Sequence, residues 1–557
     1  MNVIYRSNCC RNTTGFWPKH SSNCCILTTN SNIRSKKRLT KQENCFSIFE
    51  TRLFITRLKG ATVFKAAFVG RSRELQVLDN LWDSNKATLL ILYGRRRVGK
   101  TRLLTHWLQQ GEGRGLYWVA EPSSALSQLR SFSQALMNFM DPEAEVPPDF
   151  TFSSWELAFR QLSLYAQNRR VALFIDEVTY VIDVDSEFVG VLQKVWDRWL
   201  SDSNIMLALA GSQMGLMRQH LLDYDAPLYG RASTQMQLPP LPYGTTREYF
   251  PEYSAEERVK MYAMWGGVPA YWERLDAKLS ITDNLRRNIL PAHAWMIDES
   301  RILLQDFITD LHNYVGILRA ISDGQQLMSD ISARTGLNSS KASFYLSVLR
   351  DTGFVVRDVP ISQRNTDSRR GRYTITDPYL RFFYRFMSAS QSKLALGQME
   401  EMLSLIQEAL PLFIGDNTWQ ELCREWVLRA SAQGELAQPV EDVGSEWTKS
   451  HTIDVVGISE KESSLILGDC FWQEEPVGPE VIEELMQKTS IMIPKSNQTW
   501  SVYYVLFSAC GWTAEARQLA AQSSDERQSS RRKRWQSVGV RLVDLKELDE
   551  DLMRWST

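Results

Sequence analysis

No stretch of this sequence comes near the roughly 18 consecutive apolar residues that a membrane-crossing helix needs. The longest runs, Ala87 to Tyr93 and Val502 to Phe507, have the length of strands, so no membrane partner is expected. A dominant charge is missing too: 64 Lys and Arg stand against 65 Asp and Glu, for a net charge of -1. No overall field draws the chain to nucleic acid or to an anionic surface, and such a partner would have to meet a local patch. Cysteine is scarce and poorly spaced for cross-links. Of 8, Cys9, Cys10, Cys24, Cys25 and Cys45 crowd the first stretch, and Cys423, Cys470 and Cys510 are scattered; that is no disulfide framework, and a cytoplasmic setting fits it. Histidine is rarer still, at 6 residues, and the lone His20 near the early cysteines completes no zinc-binding spacing.

What is present is ample apolar material. With 557 residues and a hydrophobic content of 43%, the chain exceeds what one core supports and divides into several domains. Residues 1–66 are rich in Ser, Asn, Thr, Arg and Lys, hold only Glu43 and Glu50 as acids, and lack periodicity; they read as a disordered extension rather than a transit peptide, since no amphipathic helix is visible. Beyond them the patterning divides into an α/β core at 67–235, a helical lid at 236–310, a further helical and hairpin domain at 311–399 and a small α/β domain at 400–557.

In the core, Ala87 to Tyr93, Val171 to Ile175 and Ile205 to Ala210 are nearly all apolar, the mark of parallel strands buried on both faces. Helical patterns alternate with them, which predicts an α/β fold with a doubly wound parallel sheet. The first strand runs into GRRRVGKT at Gly94 to Thr101. Glycines at both ends of such a turn let its backbone N–H groups point at phosphate at a helix N-terminus. Lys100 adds charge on the β- and γ-phosphates, and the Thr101 hydroxyl is placed to ligate Mg²⁺. The cofactor-binding stretch is thus Gly94, Arg95, Arg96, Arg97, Val98, Gly99, Lys100, Thr101 and Arg102, with ATP and Mg²⁺ as cofactors. At the end of the second apolar strand, Asp176 is the second metal ligand and Glu177 the base that orients or deprotonates water. Ser212 ends the next strand and reads as either a γ-phosphate contact or a helix cap. Arg231 reads as either an arginine finger or a surface arginine.

Further along, Met328 to Thr335, the turn Gly336-Leu337-Asn338 and Ser340 to Thr352 predict two helices, and Phe354 to Val359 with Arg372 to Ile375 predict a hairpin. That order is a winged helix. Ser339, Ser340, Lys341, Ser343 and Phe344 would open the recognition helix, with Arg364, Arg369, Arg370 and Arg372 in the wing. Two partners stay open for it, DNA or a protein surface including self-association. The tract Arg531-Arg532-Lys533-Arg534 is a further basic patch and decides nothing alone.

FVGRSREL, GRRRVGKT, FIDEV, LALAGS, LYGR, GGVPAY, the winged helix, IDVVG and GDCFW together resemble the archaeal-type AAA ATPases grouped with STAND NTPases, whose C-terminal domain is restriction-endonuclease-like. The resemblance runs from about Phe68 to Leu548. It implies that Val69, Gly70 and Arg71 flank the adenine, that Gly267 and Pro269 close over the nucleotide from the lid, and that ATP is split to ADP and phosphate in a nucleotide-driven switch. In the last domain Asp454 and Asp469 resemble the carboxylates of a PD-(D/E)xK nuclease. Phe471, however, stands where that site has lysine, and Gln420 where it often has glutamate. A phenylalanine cannot activate water, so the expected domain is a nuclease-like scaffold that has lost cutting.

Overall fold

A computed structural model describes residues 68–111, 114–291, 293–305, 311–364, 368, 370–493, 498–525 and 534–556. The expected disorder of residues 1–66, and Arg369, Arg531, Arg532 and Lys533, lie outside these. Among the described residues no helix is long and apolar enough to cross a membrane.

Five parallel strands form the first sheet, in the order β2-β3-β4-β1-β5: β1 is Thr88–Tyr93, β2 Gly115–Val119, β3 Val171–Asp176, β4 Ile205–Gly211 and β5 Thr234–Gln237. Alternate residues of the central strands feed two separate cores, because side chains of a strand point to opposite faces. Leu89, Ile91, Leu173, Ile175, Leu207 and Leu209 join Trp155 and Phe159 on one face. Leu90, Leu92, Phe174, Met206 and Ala208 join Leu78 and Trp107 on the other. Helices cover both faces, so β1, β3 and β4 are apolar but for Thr88 and the terminal Asp176, and each apolar side chain contributes about 1.5–3 kcal/mol by leaving water. The edge strands escaped the sequence reading: β2, Gly-Leu-Tyr-Trp-Val, is apolar but buries only Trp118, and β5, Thr-Gln-Met-Gln, buries only Met236.

After the sheet comes the helix Ala255–Trp265, opened by a capping box between Ser254 and Glu257. Helices Leu311–Ser322, Met328–Thr335 and Ser339–Asp351 then lead into an antiparallel ribbon of β6 (Val355–Asp358) and β7 (Arg372–Ile375). Gly336, at φ +69° in the left-handed region, ends the middle helix. This is the winged-helix order. The chain closes with a six-stranded mixed sheet of β8 (Asp442–Trp447), β9 (Thr452–Ser459), β10 (Ser464–Gly468), β11 (Cys470–Phe471), β12 (Trp500–Ser508) and β13 (Trp535–Asp544). One continuous apolar core runs from Leu241 through the winged helix to Trp555, so the segments after the first sheet are packed as a single mass.

Candidate functional site

The loop after β1, the end of β3 and the end of β4 meet at the carboxyl edge of the first sheet, where open α/β sheets place their ligands. Gly94 lets the loop pass the segment that follows β5: a Cβ there would lie 2.5 Å from the Leu238 carbonyl oxygen. Gly99 has φ +99° and serves as N-cap of Lys100–Gln109, with no side chain capping the free N–H groups. That leaves an anion-binding helix start. Lys100 is buried and donates to the carbonyls of Gly94 (2.9 Å) and Arg95 (3.1 Å). Val98 is fully buried. Its carbonyl accepts from Arg71 at 3.0 Å, and Arg71 also donates to Pro239 O at 2.8 Å. Arg71 therefore braces the loop from beneath. Val69 packs on the large C-terminal core, and Gly70 at φ +63° lies against Thr245.

Thr101 Oγ1 donates to Asp176 Oδ2 at 2.5 Å, which brings the two expected metal ligands together. The same oxygen accepts from Tyr117 at 2.6 Å. Tyr117 was invisible in the sequence because β2 was. Burial first, and the Asp176 charge second, push its phenol far above the ordinary value, so it stays a donor. The donor set, one hydroxyl and one carboxylate, fits Mg²⁺, which uses few protein ligands and shares the ion with phosphates and water. Among the described residues no cluster of three or more His, Cys, Asp or Glu could hold an ion alone.

Glu177 has a left-handed φ of +50°, a conformation that costs a non-glycine residue roughly 1–3 kcal/mol and tends to persist at functional sites. Ser212, almost fully buried at the end of β4, donates to Glu177 Oε2 at 2.8 Å. This hydrogen bond fixes the carboxylate beside the loop. Arg231 makes a two-pronged pair with Asp197, 2.7 Å on each prong, and holds that carboxyl below its usual range. In this arrangement its charge is spent within its own domain.

Pro269 stands over the loop, 3.9 Å from where a Gly99 Cβ would be. The Gly267 carbonyl accepts from Leu241 N at 2.6 Å. The loop arginines reach outward. Arg96 donates to Tyr180 Oη at 3.3 Å, Arg102 pairs with Glu273, Arg95 pairs with Asp377, and Arg97 lies 2.8 Å from Glu299 Oε2.

The winged helix departs from expectation at its wing. Arg364 pairs with Asp442 and donates to Val443 O at 3.0 Å, Arg370 donates to Trp447 O at 3.3 Å, and the Arg372 guanidinium lies 4.7 Å from the Trp447 ring centre. These arginines are engaged with β8 instead of standing free for phosphate, a contact that depends on a strand the sequence pattern did not show. The recognition helix is open: Ser339, Ser340, Lys341, Ser343 and Phe344 are all exposed.

In the C-terminal sheet, Asp454 and Asp469 do meet. Asp454 N–H donates to Asp469 Oδ1 at 3.3 Å, and Asp454 accepts from Gln420 (3.2 Å) and from Cys470 N–H (3.1 Å). Burial, then the Asp469 charge, pushes the Asp454 carboxyl up to about 6. Phe471 packs edge-on against Trp512, with no part in this cluster. A lysine is nevertheless present: Lys488, from the helix Glu480–Met492, places Nζ 2.8 Å from Asp469 Oδ2. It borders a groove of about 560 Å³ lined by His451, Glu484, Gln487, Ser490 and Ile491. Reading along the strand alone missed it, since it arrives from another element.

Comparison with known proteins agrees on the class of the core. Residues 68–275 match the family described as "ATPase domain predominantly from Archaea", so this part of the chain is similar to that domain. Residues 315–356 match "Bacterial regulatory protein, arsR family" and residues 383–486 match "Archaea bacterial proteins of unknown function". An uncharacterised protein of Methanocaldococcus jannaschii is 25% identical over 409 residues, 73% of this chain and 88% of its own. An uncharacterised ATP-binding protein of the same organism is 57% identical over 42 residues, 8% of this chain and 71% of its own. The crystal structure of Cdc6p from Pyrobaculum aerophilum is 15% identical and covers 60% of this chain and 98% of that one, at a TM-score of 0.30, too low to define a shared fold.

Proposed function

We propose that this protein is an ATP-binding and ATP-hydrolysing switch of the AAA/STAND type, in which nucleotide state is passed to the winged helix and the C-terminal α/β domain. The observation that carries it is the convergence of the Gly94–Thr101 loop, the Thr101–Asp176 pair and the Ser212–Glu177 pair at one sheet edge. Gly94 to Thr101 cradle the phosphates, Thr101 and Asp176 hold Mg²⁺, and Glu177 orients the attacking water. Mg²⁺, when bound, neutralises charge on the β- and γ-phosphates. Lys100→Ala removes a charged donor from the phosphates, a loss of about 1.5–3 kcal/mol, and should weaken Mg-ATP binding by roughly ten- to a hundredfold in titrations with a fluorescent ATP. Unchanged affinity would refute the reading. DNA is the partner assigned to the winged helix, on the strength of its regulatory-protein match and its exposed recognition helix. With the wing held on β8, contact falls to the Ser339–Asp351 helix, so Lys341 and Phe344 are the residues to read bases and backbone.

A second reading, Mg²⁺-dependent phosphodiester cleavage by the C-terminal domain, is favoured by Lys488 beside Asp469. Against it stand the protein donors that already occupy both Asp454 oxygens and the absence of Phe471, at the strand position where such a site has lysine, from the cluster. Supercoiled plasmid incubated with the purified chain and Mg²⁺ or Mn²⁺ should stay intact. Nicking that disappears in both Asp454→Ala and Lys488→Ala would establish the second reading.

A further inference from the structure

Two arginines of the phosphate loop reach beyond the first sheet and its helices to residues of later segments. Arg95 pairs with Asp377 Oδ2 and donates to Tyr271 Oη at 2.8 Å. Tyr271 in turn donates to Glu299 Oε1 at 2.8 Å, and the other Glu299 oxygen lies 2.8 Å from Arg97 Nη1. The Arg97 guanidinium also sits 4.9 Å from the centre of the Trp295 ring, and its backbone is left-handed at φ +69°. The carboxylates are far less accessible than the guanidinia: side-chain exposure is 1% for Glu299 and 8% for Asp377, against 18% for Arg95 and 32% for Arg97. Asp377 is doubly committed, since its Oδ1 caps the helix Pro378–Phe382 by accepting from Leu380 N–H at 2.8 Å, directly after β7 at the root of the wing.

This network closes a circuit between the loop and the winged helix with opposite charges in a poorly solvated place, where Coulomb terms are large. A triphosphate in the loop would add negative charge beside the backbone of Arg95 and Arg97, whose guanidinia already hold two carboxylates. Arg95 and Arg97 cannot give their full set of donors to carboxylate and phosphate at once, and the two sets of anions repel each other. Occupancy of the loop and closure of the circuit are therefore antagonistic. By linkage the antagonism must be reciprocal: whatever phosphate does to the circuit, removing the circuit does in reverse to phosphate affinity.

We infer that Asp377 and Glu299 form an ion-pair latch on Arg95 and Arg97 that nucleotide phosphate loosens, releasing the capped end of Pro378–Phe382 and with it the root of the wing. The inference rests on the nucleotide-binding reading above and assigns the route by which that site signals.

The test is Glu299→Gln with Asp377→Asn in the full chain. Both substitutions remove charge and keep volume. The glutamine carbonyl would still accept from Tyr271, and asparagine is as good a helix cap as aspartate. Binding of a fluorescent ATP with Mg²⁺ should tighten by about 5- to 150-fold, the usual range of such couplings, and ADP, with less charge, should gain less. In the wild-type chain, hydrogen exchange at the amides of Tyr379, Leu380 and Arg381 should speed up when ATP is added; in the double variant, where asparagine still caps but the ion pairs are gone, it should be indifferent to ATP. The wild-type exchange measurement needs no substitution, and Asp377→Asn alone serves if the double variant does not fold. Equal or weaker ATP affinity in a folded variant, or wild-type exchange unmoved by ATP, would overturn the latch and leave the nucleotide site standing. A wild-type chain that binds no nucleotide would remove both.

Discussion

Glu177→Gln should slow ATP hydrolysis by about 10²–10⁴-fold, the contribution of a positioned general base, and leave nucleotide affinity nearly as it was. The geometry behind this is specific. Asp176 Oδ1 accepts from Glu177 N–H at 2.9 Å, the backbone at Glu177 is left-handed, and Ser212 anchors Oε2. Together these commit the second carboxylate oxygen of Glu177 to one direction. Glutamine can keep the Ser212 hydrogen bond through its carbonyl, but its amide cannot take a proton. The side chain stays in place and the chemistry goes. Ser212→Ala should fall between the two, because it frees the carboxylate to rotate without neutralising it. Single-turnover phosphate release measures the rate and equilibrium titration the affinity. A Glu177→Gln chain as fast as wild type would sink the assignment.

That site was legible for a physical reason: its parts are local. GRRRVGKT states its turn and its helix in eight residues, and β1, β3 and β4 announce themselves because burial on both faces confines polar residues to their ends. The edge strands β5 and β8 carry polar residues, and β2 is apolar but short and mostly exposed or half-buried. β2, β5 and β8 went unread, and with them Tyr117 and the surface that holds the wing. Long-range pairings are harder still. Arg95 and Asp377 are 282 residues apart, and no spacing rule relates them. In the sequence alone Arg95, Arg96 and Arg97 belong to a stretch whose backbone N–H groups meet phosphate, which says nothing of where their side chains go; the structure places Arg95 on Asp377 and Arg97 beside Glu299. Lys488 makes the same point in the C-terminal sheet, where the strand position offered Phe471 and a neighbouring helix supplied the lysine. Function read from motif spacing finds what one element holds and misses what two elements share.

The same lesson governs the second large effect, on stability. Asp549→Ala should destabilise the chain by about 3–5 kcal/mol, the cost of stranding a buried charge by deleting its partner. Asp549 lies on the last helix, Leu545–Arg554, and is 2% exposed. It accepts from Tyr243 Oη at 2.5 Å and from Arg258 Nε at 3.1 Å, and its other oxygen pairs with the second prong of Arg258. Arg258 is itself buried on the helix Ala255–Trp265, so the deletion leaves a guanidinium and a phenol facing a cavity. The end of the chain fits closely here: a Cβ on Gly244 would fall 2.4 Å from the Leu552 carbonyl oxygen, so the helix cannot shift inward to fill the space. Breaking the cluster and replacing it are different experiments. If the loss comes from the unpaired charge, Arg258→Met with Asp549→Leu and Tyr243→Phe should recover much of it, because a well-packed apolar set can match a buried ion pair. If it came instead from lost helix docking, the triple variant would be no better than the single one. Urea unfolding followed by tryptophan fluorescence separates the two. An Asp549→Ala midpoint equal to wild type would show that the last helix is not held by this pair.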